Sequence, residues 1–234
     1  MLFKSEIVTQ VSGSIGGTTY SHNTAGMYRR ARSIPVNPNT AAQQAVRNSF
    51  TTLALAWSQT LTQTQRDAWD NYASLTPITG KLGDPLTLSG QQMYICCNAT
   101  RLLNPLARVD AGPTVPGLAA LTAPVATISI GAATISIAFT NTDPWANEVG
   151  GGLNIQTSRF LSPGRNFFKG PYRFLQAVDG AAAPPASPTT NANNAFLQSV
   201  AAATAGQKCS IRYVAYRADG RITAVTTELV TVVA

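Results

Sequence analysis

Charge is what this sequence has least of. Only 12% of its 234 residues are Asp, Glu, Lys or Arg, about half the share of an ordinary soluble domain. The surface must therefore be built mostly from Ser, Thr, Asn, Gln, Gly and Ala. Such a surface suits a chain that spends its life packed against other proteins, and it is also found in some secreted β-proteins. Acids are the scarcer sign, 10 against 17 bases, which leaves a net charge of +7. Histidine occurs once, as His22, and cysteine three times, as Cys96, Cys97 and Cys209. An odd number of cysteines, two of them adjacent, gives no disulfide framework. No Cys-x-x-Cys or mixed Cys/His spacing suggests a metal, so the cysteines read as small buried hydrophobes. No apolar run is long enough to span a bilayer. The first ten residues, MLFKSEIVTQ, lack the apolar stretch of a signal peptide. The expectation is a chain made in a cytoplasm and staying soluble, in which the sequon Asn98-Ala99-Thr100 is chance.

What is present is enough for real cores. Hydrophobic residues make up 44% of the chain, and its length allows one large domain or two small ones. The bases are unevenly placed. Residues 1–66 hold Lys4, Arg29, Arg30, Arg32, Arg47 and Arg66 against the single acid Glu6. A local excess of this kind steers a chain toward nucleic acid or any acidic surface.

Residues 1–38 read as an extended basic arm. Residues 6–11 are strand-like, Gly13, Gly16 and Gly17 mark a turn, and 18–21 can pair with 27–32 as a hairpin around 23–26. Pro35 and Pro38 then hold the chain open. Too few large apolar residues are present for this arm to fold without a surface to lie on. Thr40-Ala41-Ala42-Gln43, Thr62-Gln63-Thr64-Gln65 and Ser89-Gly90-Gln91-Gln92 are three capping boxes. They predict helices over about 40–59, 63–75 and 90–103, with the first two as an antiparallel hairpin. Ala42, Val46, Phe50, Leu53 and Trp57 form the apolar face expected for the first. Residues 39–106 are thus expected as a helical domain and 107–116 as a linker. Over 117–234 the strand-like runs 125–130, 133–139, 153–158, 172–177, 209–216 and 224–230 suggest a small β-sandwich. Asp219-Gly220 supplies a hairpin turn, and 180–204 reads as a long surface loop. The fold class expected is α+β with two domains.

No constellation of nucleophile, base and orienting group is visible. The glycines near Ser12 lack the Lys-Ser or Lys-Thr close of a phosphate loop and are not a nucleophile elbow. His22 has no nearby carboxylate in sequence. Asp67 and Asp70 sit in the first turns of a helix, where acids complement the dipole. No catalytic residue, cofactor or metal is expected. Two binding candidates remain. Tyr20, Tyr28, Arg29, Arg30 and Arg32 form an aromatic and basic cluster on the arm, suited to an acidic protein surface more than to nucleic acid. Arg165, Phe167, Phe168, Lys169 and Tyr172, followed by Arg173, interleave bases and aromatics. They read either as a ligand loop, on which bases or sugars stack, or as a hairpin with its rings turned to the core.

The stretch GSIGGTTYSHNTAGMYRRARSIPVNPNTAAQQAVRNSFTTLALAWSQTLTQTQRDAWDNYA resembles a group of phage and prophage proteins. Their pattern is a Gly-Gly-Tyr hairpin, an Arg-rich strand, Pro-Asn-Thr, a Gln/Arg helix, and a helix of the form Thr-x-x-Gln-Arg-x-x-Trp-x-x-Tyr. SGQQMYICCNATRLL is similar to their third helix, with Tyr94 where Phe is expected. The similarity spans roughly residues 12–104. The remainder resembles a fibronectin type III or immunoglobulin-like domain by strand pattern alone. The resemblance implies a virion-associated structural protein, made in the host cytoplasm and without catalysis. The favoured role is a capsid decoration or cement protein on the major capsid protein, in a symmetric homo-oligomeric assembly. The alternative is a tail or baseplate component whose sandwich binds a host-surface glycan or receptor.

Overall fold

The glycines of the arm turn the chain as expected. In the computed structural model, which describes residues 11–24, 26–80, 84–104 and 106–234, β1 (Gly13–Ile15), β2 (Thr18–Asn23) and β3 (Gly26–Ala31) form an antiparallel ribbon in the order β1-β2-β3. Gly16 opens the first turn with φ +55°, a left-handed conformation that glycine adopts without a Cβ penalty. The strand expected over 6–11 lies outside the described residues except for Val11. By its contacts the chain divides into two compact units, one ending at Gln44 and the other running from Ala45 to Ala234. In the first unit no described side chain is buried, as anticipated for an arm too poor in large apolar groups to make a core.

All three capping boxes form. Thr40 Oγ1 accepts from Gln43 N while Gln43 Oε1 accepts from Thr40 N, and the Thr62/Gln65 and Ser89/Gln92 pairs do the same. They start α1 (Ala41–Leu55), α2 (Gln63–Leu75) and α3 (Gly90–Leu103). A π-helical turn, Ala56–Thr60, extends α1, and the short strands β4 (Ile78–Thr79) and β5 (Pro85–Leu86) pair between α2 and α3. The apolar face expected for α1 is only partly used. Leu53 is buried, but Val46 and Phe50 stay about half exposed. The main packing pair is α2 with α3, rather than α1 with α2. Trp69, Tyr72, Met93, Tyr94 and Cys97 fill their interface with Leu53. Trp69 meets Tyr94 edge-on at 5.5 Å, a geometry that adds about 1 kcal/mol beyond area burial. Cys97 and Cys209 are buried as expected, whereas Cys96, one position round the helix, is exposed.

The β region is one hydrogen-bonded sheet of seven strands: β6 (Val125–Ser129), β7 (Thr134–Ala138), β8 (Gly152–Thr157), β9 (Arg173–Asp179), β10 (Thr189–Asn191), β11 (Lys208–Tyr216) and β12 (Thr226–Val233). Their order is β10-β7-β6-β12-β11-β8-β9. Every contact is antiparallel except β6–β12, which pair in parallel at Val232↔Ile128 and Val233↔Ser129. Alternation decides the inner face. Ile128, Ile135, Ile137, Leu153, Ile155, Ile211 and Tyr213 all enter one core, so the sheet curls around it. The outermost strands of the order meet through side chains. Gln176 of β9 donates to Thr189 Oγ1 and accepts from Asn191 Nδ2 of β10. The segment 180–204, expected as a loop, therefore carries a strand and buries Val200 and Asn194. Its short polar run Thr189–Asn191 gave no hydrophobic signal. The turn at Asp219-Gly220 forms, with Gly220 at φ +90°.

Helices and sheet of the second unit are tied by polar side chains on α3. Asn98 donates to Tyr94 O and Val109 O and accepts from Val109 N. It is fully buried, so the sequon around it is inaccessible as folded. Arg101, 5% exposed, donates through Nε to Ala107 O and through Nη1 to Gly150 O and Arg217 O. Burial holds its pKa below the ordinary arginine value, opposed by Tyr216, Asp219 and Glu148. The Tyr216 ring lies across Gly152 to reach Asp179 Oδ1 at 3.2 Å, and a Cβ on Gly152 would collide with its hydroxyl.

Replacing Arg101 by Met removes the donor from three part-buried hydrogen bonds. It is expected to lower unfolding free energy by about 3 kcal/mol, read from a urea midpoint. Buried tyrosines set an alkaline limit. Burial, then Cys97, pushes Tyr72 up to about 12, and burial with adjacent carboxylates raises Tyr94, Tyr213 and Tyr216. In the unfolded chain they titrate at ~10. Their stabilisation is therefore complete below about pH 10 and is lost as pH rises above it. Tyrosinate absorbance is expected to rise in two steps, the second coinciding with loss of structure by circular dichroism.

Candidate functional site

Two surfaces collect the residues singled out in the sequence. On the arm, the ladder register assigns faces, because directly paired residues point the same way. Tyr20 pairs with Arg29, Thr18 with Ala31, His22 with Met27, and Ile15 with Thr18. These residues share one side of the ribbon. Tyr28 pairs with Ser21 and Arg30 with Thr19, on the other side, where Ser14 and Thr19 hydroxyls also meet at 2.8 Å. The two tyrosines and the arginines of the cluster are thus divided between faces. The side bearing Ile15, Tyr20, Met27 and Arg29 is the more apolar. Arg32 follows β3, and its N–H donates to Gly17 O at 2.9 Å, closing the end of the ribbon.

The second surface lies on the sheet. Residues 158–172 connect β8 to β9 and are pinned at Leu161, which bridges Lys208. The loop then crosses the outer face of β11. The faces again follow from register. Cys209, Ile211 and Tyr213 point into the core, so Ser210 and Arg212 point away, beside Leu229 and Thr227 of β12. Tyr172 Oη and Ser210 Oγ share a hydrogen bond of 2.8 Å, and Tyr172 also donates to Phe168 O at 3.3 Å. Phe168 and Tyr172 rings meet edge-on at 5.1 Å. Arg165 sits 5.8 Å from the Phe168 centroid and donates to Phe167 O. Arg212 sits 5.3 Å from the Tyr172 centroid, close enough for cation–π attraction. Lys208 Nζ donates to Asn166 Oδ1. Gly170, at φ +123°, takes a backbone conformation that side chains disfavour.

These contacts give the direction of the loop's rings. Its aromatic rings do not turn to the core. Phe168 and Tyr172 pack on the outer face, and Phe167 is left 73% exposed. Together with β11 and β12 they enclose an open groove of ≈ 420 Å³. Phe167, Phe168, Lys169 and Tyr172 line it, and Arg165 stands over the Phe168 ring without lining it. Arg173 does not line it either, and stacks instead on Phe196 at 4.4 Å. Ser210, Arg212 and Thr227 also line the groove and were not singled out in the sequence. They arrive from β11 and β12, far downstream in the sequence, and only the outward positions of those strands hinted at them.

The remaining candidates have structural roles. Asp67 accepts from Gln63 Nε2 at 2.7 Å. Asp70 Oδ1 accepts from Gly90 N at 2.8 Å, placing a carboxylate at the start of α3 where the helix dipole favours it. Among the described residues no group of three His, Cys, Asp or Glu is placed to hold a metal, and no helix is long and apolar enough to cross a membrane. In comparisons with known proteins, no family model, curated protein or solved structure matches the chain.

The Tyr172 hydroxyl fixes the loop to the sheet. Tyr172→Phe is expected to cost about 1 kcal/mol and to speed proteolytic cleavage within 162–171, measured by limited digestion of the native protein.

Proposed function

We propose that this chain is a non-enzymatic structural protein of a virion, a decoration or cement subunit that docks on the major capsid protein through its N-terminal arm. The observation that carries this reading is the arm's uncovered apolar surface. Ile15 is 74% exposed and Val36 91% exposed, on a segment with no buried described side chain and no acid between Glu6 and Asp67. Exposed apolar side chains gathered on one segment mark an interaction surface. An arginine-bearing ribbon fits an acidic protein wall, and the outer edge of β3 can also accept a partner strand. Symmetric assembly would present many copies of such a wall.

For residues 117–234 we favour an immunoglobulin or fibronectin type III-like domain projecting from that assembly. The strand order supports this. One half is β10-β7-β6 and the other β12-β11-β8-β9. The connections β7–β8, β9–β10 and β10–β11 pass from one half to the other, as connections do in Greek-key sandwiches. A second reading, a tail or baseplate component that binds a host glycan, is favoured by the groove beneath residues 165–172.

Docking by one face of the ribbon makes a sharp expectation. Arg29→Ala combined with Ile15→Ala lowers occupancy on particles by about tenfold, equivalent to ~1.4 kcal/mol, whereas Arg30→Ala changes it less. Quantitative co-sedimentation with particles reads this. Undiminished occupancy of the variant lacking Arg29, Arg30 and Arg32 overturns the docking role.

A further inference from the structure

We infer that the groove beneath residues 165–172 is a binding site for a carboxylate-bearing sugar, a uronic or sialic acid unit of a surface polysaccharide. The inference deepens the glycan reading above by naming the ligand class. It rests on the groove alone, independently of how the arm docks.

The volume, ≈ 420 Å³, falls within the range of small-ligand pockets, roughly 300–1,000 Å³. The lining offers three chemistries side by side. Phe167 supplies an exposed ring, a platform for the C–H face of a pyranose. Asn166 and Thr227 line the wall with an amide and a hydroxyl of the kind that pair with sugar hydroxyls, while the Ser210 hydroxyl is taken up by Tyr172. Lys169 and Arg212 line it as well and provide positive charge. The planar fork of an arginine matches a carboxylate with two parallel hydrogen bonds. Arg212 is held over the Tyr172 ring, so less side-chain freedom is lost when a ligand binds.

The one acid on the wall is Glu228. Its Oε2 accepts from Tyr213 Oη at 3.1 Å and from Ala126 N at 3.2 Å, and the cations Lys169 and Arg212 outnumber it on the lining. The rim therefore favours an anion.

A nucleic-acid strand would also be anionic, but it needs several free ring faces in succession for its bases. Here Phe168 and Tyr172 pack against one another with Arg165 and Arg212 over them. Phe167 alone remains as an exposed platform. One platform flanked by a hydroxyl, an amide and two cations fits a single acidic pyranose.

The test uses the full chain on immobilised oligosaccharides: sialylated chains, uronate chains and their carboxyl-reduced counterparts, with single-stranded oligothymidylate alongside. At least one carboxylated chain is expected to bind about tenfold more tightly than its reduced counterpart. Phe167→Ala and Arg212→Met are each expected to weaken that binding by about tenfold, with unfolding temperatures confirming that both variants fold. The variant Arg29→Ala/Arg30→Ala/Arg32→Ala is expected to bind unchanged, which separates the groove from non-specific attraction to the arm. Equal binding of the reduced chain overturns the carboxylate preference while leaving a neutral-glycan site. Absence of saccharide binding overturns both. Loss of binding in the arm variant, or tighter binding of oligothymidylate, overturns the assignment to this groove.

Discussion

The second unit depends on a buried cation whose hydrogen-bond partners among the described residues are carbonyls rather than carboxylates. Arg101 stands in the last turn of α3, where positive charge complements the helix dipole. Its guanidinium is satisfied by carbonyls of the segment after α3, the loop before β8 and the turn after β11. A guanidinium can reach three diverging carbonyls because its donors are fixed in a plane. A lysine ammonium has a single point from which to do so. The bonds seat α3 over one end of the outer face of β11, where Tyr216 crosses Gly152. The other end of that face, at Ser210 and Arg212, is left to the loop 162–172. The position of the groove is in this sense a consequence of where Arg101 holds the helix.

The same preference for carbonyls recurs elsewhere and follows from the shortage of acids. Arg66 donates to Trp57 O and Ser58 O, locking the π-helical turn onto α2. Arg221 donates to Val115 O and Gly117 O. The ion pairs seen among the described residues are Arg108–Asp110, Arg217–Glu148 and Arg221–Asp219. Two of them join residues two apart, so they shape turns more than they join distant elements. Charged side chains in this chain order irregular backbone, and the surface is left to small polar groups.

Much of the fold was legible because its signals are local. A Thr or Ser followed three residues later by Gln fixes a helix start with two hydrogen bonds, and each of the three boxes did so. Alternation located six of the seven strands in the large sheet. What failed was information held by tertiary partners. The stripe Val46-Phe50-Leu53 has core periodicity, but periodicity does not say whether another element covers every turn of it, and here only Leu53 is covered. Thr189–Asn191 pairs as a strand because β7 offers an edge and Gln176 reaches its side chains, neither of which is written in its own residues. Phe167, Phe168 and Tyr172 were visible as a cluster. Their direction was not, since it depends on Ser210 supplying a hydroxyl partner from the outer face of β11. The division of the arm's cluster into Tyr20 with Arg29 and Tyr28 with Arg30 likewise needed the register.

The two proposed surfaces differ in what they can supply, and the difference makes them complementary. A ribbon with open edges and uncovered apolar residues can bury a large area, and ordering entropy is the main cost it must overcome. A groove that admits one sugar unit buries little. Its monovalent affinity is bounded by the small number of ligand atoms it touches. A site of that kind becomes effective when copies are held at fixed spacing, because each bound copy raises the effective concentration seen by the next. Docking by the arm would create that array. A weak acid-sugar site on the β domain would then convert it into a surface that adheres where the polysaccharide is dense and releases where it is sparse.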